Sequence, residues 1–301
     1  MTVPAEPAGD LPEAAVRRFA DGAFTSGLTV PDFAACLQMG LEPVGFTQGY
    51  CVMQWQWYGM PQMGGGFGYQ WGGVRGYSET FNCPHGMVSQ EHRAWGQNYE
   101  QSWLEDAWAS GFSTAYERML DEAGAAGAHG IVGVVDTSAP LADMGVVEFR
   151  VQGTAVRVVD GPAPADGRPW STYLAGQRLA KLVEAGYAPV SIAATVASVG
   201  LWANCVTQYQ TEGTAGMFRT GNPGEEIVQT AKAHTAARRI ATERIRGQLG
   251  PDSLHGASLR TTHRAQGEGD ATIEAVLRGN RVRRFKDFDP MPAPRPTVRL
   301  L

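Results

Sequence analysis

Residues 40–44 read Gly-Leu-Glu-Pro-Val, and residues 186–190 read Gly-Tyr-Ala-Pro-Val, 146 positions later. The same offset pairs Leu28 with Leu174 and Ala34 with Ala180. Further along, His129-Gly130 matches His255-Gly256 at an offset of 126, and that offset also joins Glu148 to Glu274, Gly153 to Gly279, Val156 to Val282 and Arg157 to Arg283. Two collinear blocks at constant offsets mean an internal duplication, and a repeat constrains the fold more than any single motif. The change of offset places about 20 extra residues in the middle of the first copy. A chain of 301 residues is long enough for two such units.

Each copy reads alike. A short helix (about 30–39 and 175–185) stops at Gly40 or Gly186. A strand follows the Pro-Val pair, rich in β-formers. A long helix comes next. In copy two, Asn222-Pro223-Gly224-Glu225 is expected to open it, and the helix should run to about Leu249 with Ile227, Ala231, Ala241, Ile245 and Leu249 along one stripe. In copy one, Thr114-Ala115-Tyr116-Glu117 reads as a capping box, with Met119, Leu120 and Ala123 facing inward. Two more strands close each copy. The fold class expected is α+β: two tandem β-α-β-β modules, each an antiparallel sheet covered by a helix. Residues 1–21 form an N-terminal arm, 22–160 the first module, 161–169 a Pro/Gly linker, 170–285 the second module and 286–301 a Pro-rich C-terminal arm.

Gly127-Ala128-His129-Gly130-Ile131-Val132-Gly133-Val134, with Gly153-Thr154-Ala155-Val156 after a hairpin, resembles the signature of the YbjQ-like family, which carries a heavy-metal-binding label. Residues 25–46 resemble the start of tandem actinobacterial members. Copy two departs from the signature, with Gly279-Asn280-Arg281-Val282 at the closing strand. The resemblance implies a dodecin-like module that assembles into rings, and it supplies no ligand set.

The net charge of −5 conceals a division. Residues 1–160 hold 7 Lys and Arg against 18 Asp and Glu; residues 161–301 hold 18 against 12. Solvated surfaces drifting in charge account for this, and so does attraction between an acidic and a basic half. Nucleic acid is not expected, because the arginines are not interleaved with stacking aromatics. No secretory signal or apolar span is legible, and four scattered cysteines do not form a disulfide framework, so a cytoplasmic, reduced protein is expected.

The insertion over 53–73 contains three Met, three Trp and no charged side chain. Trp55, Trp57, Met60, Met63, Phe67 and Trp71 fit a loop folded back on the sheet, or a surface for a partner protein or for ring assembly. Cys83, His85 and His92, with Cys51 as a fourth, are the one Cys/His cluster that Zn or Cu would suit, though the spacing matches no established motif. His129 and His255 stand at matching positions before a strand, as turn residues or as a shared ligand pair. Gly64-Gly65-Gly66-Phe67-Gly68 lacks the Lys-Ser/Thr of a phosphate loop. Glu100, Glu105 and Asp106 are expected on a solvated helix face, and no nucleophile has a local base, so catalysis is not expected. Open sheet edges in a lone module predict a homo-oligomer, either a ring with an even number of modules or two stacked rings, sensitive to salt. The C-terminal arm is a second candidate for binding a partner.

Overall fold

The computed structural model describes residues 25–54, 80–82, 89–91, 96–141, 146–159, 161, 164, 167–212, 224–267 and 269–286. In chain order the elements are helix α1 (Val30–Gln38), strands β1 (Leu41–Gln54), β2 (Thr80–Asn82), β3 (Ser89–Glu91) and β4 (Asn98–Glu100), helix α2 (Ser102–Ala125), strands β5 (Gly130–Leu141), β6 (Val146–Val158) and β7 (Trp170–Ser171), helix α3 (Gly176–Glu184), strand β8 (Tyr187–Leu201), helices α4 (Cys205–Glu212) and α5 (Val228–Leu249), and strands β9 (Ser253–Gly267) and β10 (Asp270–Arg284). The fold is α+β. One antiparallel sheet runs β1-β6-β5 and a second runs β8-β10-β9, each with its last strand in the centre. The duplication is therefore visible as one strand order built twice.

Local chemistry explains the repetition. Both short helices end on a glycine in the left-handed region, Gly40 at φ 72° and Gly186 at φ 83°, where a Cβ would be strained. Both first strands bulge at the Pro-Val pair, because proline has no N–H to give the ladder: Pro43 pairs Val156 and Gly45 pairs Ala155, while Pro189 pairs Val282 and Ser191 pairs Arg281. A second bulge puts Gly133 (φ 62°) and Val134 opposite Gly153, and Gly256 (φ 64°) and Ala257 opposite Gly279.

That second bulge corrects one sequence reading. Val132 pairs Thr154, and His255 pairs Asn280, the residue 126 places after Thr154. His255 is thus the counterpart of Val132, and β5 maps on β9 at an offset of 123. The β9–β10 hairpin is three residues longer than β5–β6, which makes His129-Gly130 and His255-Gly256 a coincidence of letters. His129 Nδ1 instead accepts from the Val158 N–H at 3.2 Å.

Two helix starts are also corrected. α5 begins at Val228 and not near 222; Gly224 lies in a turn at φ 100°, and the buried stripe is Ala233, Ala237, Ile240, Ala241 and Ile245. Thr114 lies within α2, its hydroxyl donating to the Ser110 carbonyl at 2.9 Å, so it caps nothing. Met119, Leu120 and Ala123 are buried as expected. Ser102 and Val228, the first residues of the two long helices, are 126 apart, and the extra length of copy one falls between β1 and β4.

Candidate functional site

The chemistry-bearing polar groups gather where the two halves meet. β4, from the first half, adds antiparallel to the edge of β8 over Leu201 to Val199. In return, β7 opens the second half by adding parallel to the edge of β5, and the segment continues: the Thr172 N–H donates to Ile131 O at 2.9 Å, and Gly133 and Val134 donate to Leu174 and Thr172 carbonyls at 3.0 Å each. Each half completes the other's sheet. Edge strands left bare are templates for further pairing, and here two of four are covered within the chain.

Between these exchanged strands, α2 is packed on both sides. One face covers its own sheet, where Trp108, Met119 and Phe149 share a core cluster with Cys51. The opposite face meets Ile192, Ala194 and Val196 of β8, which belong to the same cluster. Trp108, Phe112 and Tyr116 stack along the helix at ring centroid separations of 5.1 and 6.0 Å. β8 is consequently buried on both faces: Ala193, Ala197, Val199 and Leu201 point the other way, under α5.

Glu105 sits at this contact. Its side chain is fully buried, which overturns the expectation of a solvated face. It accepts from the Ser198 N–H at 2.6 Å and pairs with the Arg244 guanidinium of α5. Arg244 also reaches Glu100 at 2.7 Å, and the Ser198 hydroxyl donates to Gln101 Oε1 at 2.8 Å. Burial pushes the Glu105 carboxyl above its usual range, against the opposing pull of the Ser198 N–H and Arg244. A second buried pair, Asp136 with Arg278 at 2.8 Å, crosses the same joint; burial raises Asp136 while Arg278 draws it down. Tyr173 beside it is pushed up by burial. Each carboxylate comes from the acidic half and each guanidinium from the basic half, so part of the charge division is spent inside the chain.

A polar clasp is repeated in both halves. Asn280 Oδ1 accepts from the Thr172 hydroxyl at 2.8 Å and from the Tyr173 N–H at 2.7 Å, while the Leu174 N–H donates to the Thr172 hydroxyl at 3.1 Å. In the first half Thr154 takes the place of Asn280: the Gly27 N–H donates to its hydroxyl at 3.0 Å, Ser26 lies 3.4 Å from it, and the Leu28 N–H donates to Ser26 at 3.1 Å. Arg118 and Arg244 correspond in the same way, donating to the carbonyls of Tyr50 at 2.6 Å and Val196 at 3.5 Å, themselves counterparts.

Of the residues singled out in the sequence, Cys83, His85, His92, Trp55, Trp57, Met60, Met63, Phe67 and Trp71 lie outside the described residues, as do the N-terminal arm over 1–21 and the C-terminal arm beyond Lys286. Cys51 is buried on β1 in the core under α2. Among the described residues no three His, Cys, Asp or Glu side chains converge on a point that would hold a metal ion. Cys36 is likewise a free, buried thiol, pushed up to about 11 by burial. No helix among the described residues is long and apolar enough to cross a membrane.

Sequence reading missed the buried carboxylates and the joint. One signal was available: the run from Ile192 to Leu201 has no alternation of polar and apolar residues, the pattern of a strand buried on both faces.

The fold and the joint define a two-module α+β protein whose distinctive chemistry is contact between its own modules. The chain is 26% identical over 270 residues to an encapsulin nanocompartment protein of Mycobacterium tuberculosis, an alignment covering 88% of this chain and 87% of that protein. No family model and no solved structure matches the chain.

Proposed function

We propose that this protein is a non-enzymatic, cytoplasmic building block of a homo-oligomeric shell. The observation that carries the reading is the near full-length similarity to a nanocompartment protein, taken with a module that already completes its sheet by pairing with a copy of itself. The dodecin-like character of the module and its kinship with the YbjQ-like family belong to this reading. So does a non-catalytic role for the buried carboxylates: Glu105 is held by Arg244 and the Ser198 N–H, and Asp136 by Arg278, with Tyr173 beside it.

The test is the mass of the purified chain in solution. Light scattering at low salt should give a multiple of 32.3 kDa, and electron microscopy of the same sample should show closed particles. A single species of 32.3 kDa across all concentrations would overturn the reading. Association should weaken as salt rises, to the extent that exposed charges take part.

A further inference from the structure

Resting on the self-assembly reading, we infer that the joint inside the chain is repeated between chains, head to tail: residues 25–28 of one copy pair with the bare edge of β9 in the next, while residues 224–226 of that next copy pair with the free end of β1 in the first.

The relation between the two halves is not a two-fold. Gly176 is pressed so closely on the Asp32 carbonyl that a Cβ would fall 2.0 Å from it, yet its counterpart Val30 is 83% exposed. Val196 is 7% exposed beneath α2, while its counterpart Tyr50 is 37% exposed. A two-fold would bury both members of each pair. A relation that is not two-fold makes a heterologous contact, and whatever the second half lends the first it leaves unsatisfied in itself. β5 is buried over Gly130, Ile131, Val132 and Val134, where it is paired with 170–174, whereas β9 is exposed along nearly its whole length and has no partner on its outer edge among the described residues. Residues 25–28 hold the same clasp as 171–174 but pair with no strand among the described residues.

The side chains on the two unpaired surfaces have changed together. Inside the chain the helix brings bulk and polarity: Trp108 and Tyr116 share a core cluster with Ala194 and Val196, and Gln101 and Glu105 bond Ser198. On the unpaired surfaces two bulky helix positions are smaller and the sheet positions facing them are larger. Trp108 becomes His234 and Tyr116 becomes Thr242, while Ala194 becomes Gln48 and Val196 becomes Tyr50. Gln101, Glu105 and Ser198 become Ile227, Ala231 and Val52, a polar set exchanged for an apolar one. Within one chain Val52 is 57% exposed and lies on the other half from Ile227 and Ala231, so no contact among the described residues couples the three. Contact between copies does. One charge pair persists: Glu100 with Arg244 corresponds to Glu226 with Arg118, both exposed here.

The occupant of the bare edge is therefore a second copy of this chain. By the internal register, Ile131 paired with Ser171 predicts Leu254 beside Thr25 of the neighbour. The test mixes a Thr25→Cys chain with an isotopically labelled Leu254→Cys chain under oxidising conditions and maps disulfides by mass spectrometry. A Thr25–Leu254 link between a labelled and an unlabelled chain is expected, since strand neighbours lie within disulfide reach. Assembly without that link overturns this joint and leaves the shell reading standing. A purely monomeric mixture overturns both. A link that forms only within a chain carrying both substitutions shows that the arm covers its own edge, and also overturns the joint. As a second measurement, Glu226→Arg should weaken association about tenfold or more, and adding Arg118→Glu should restore it. A Glu226→Arg protein that assembles as tightly as the parent overturns the joint as well.

Discussion

α2 and α5 are the same helix in two circumstances. Each begins 126 residues from the other and lies on a sheet of the same strand order. α2 is enclosed between two sheets and carries the stacked row Trp108, Phe112 and Tyr116; α5 has one sheet among the described residues, and the counterparts are His234, Arg238 and Thr242. Position in the array decides what a module's surface becomes, because terminal modules of a stacked repeat must meet water or another chain.

Deleting matched side chains breaks or sharpens this comparison. Trp108→Ala removes a ring packed against Phe149 and should cost about 3–5 kcal/mol, read as a fall in the denaturation midpoint. His234→Ala, at the corresponding place, should cost under about 1 kcal/mol in a chain kept monomeric. Equal losses would mean that the two helix faces are equally buried. The clasp gives a smaller contrast. Asn280→Ala strands the Thr172 hydroxyl and the Tyr173 N–H in a buried site and should cost about 2–3 kcal/mol, while Thr154→Ala, whose partners Ser26 and Gly27 are at least partly open to water, should cost about 1 kcal/mol. Hydrogen exchange at Tyr173 and Gly27 would follow the two clasps separately.

The smallest effect is on pH. Burial holds the His234 imidazole below its ordinary value, helped by His263, whose ring lies 5.7 Å away, and by Arg238. A base whose folded value is depressed contributes stability that is present above about pH 6.5 and lost as pH falls through the folded value. The melting temperature should therefore decline slightly more on acidification in the parent than in His234→Gln. Identical profiles would remove His234 from the account.

How much of this was legible depended on where each residue's partner lies. The repeat, the short helices with Gly40 and Gly186, and the strand order follow from neighbours within one copy. The start of α5 was misplaced because Asn222-Pro223 has the letters of a cap, whereas the register of the two long helices is set by the sheet they cover. Equating His129 with His255 failed because a three-residue difference in a hairpin leaves Gly next to His in both copies. Glu105 looked solvated because no nearby residue predicts a strand arriving from 93 positions away. Local pattern carries the module; the joint between modules is recorded in pairs far apart, and single-sequence periodicity does not weigh such pairs.

Gly176 has an evolutionary consequence. In an assembly of identical single modules, one substitution alters every contact at once, so a change that helps one joint must be tolerable at all of them. Fusion of two modules lifts that restriction. A glycine where the other copy keeps Val30 tightens the contact on Asp32 inside the chain without touching the outer surface. The covalent joint was free to become close and specific, while Val30 and the surface around it stayed under whatever selection acts on an outer surface.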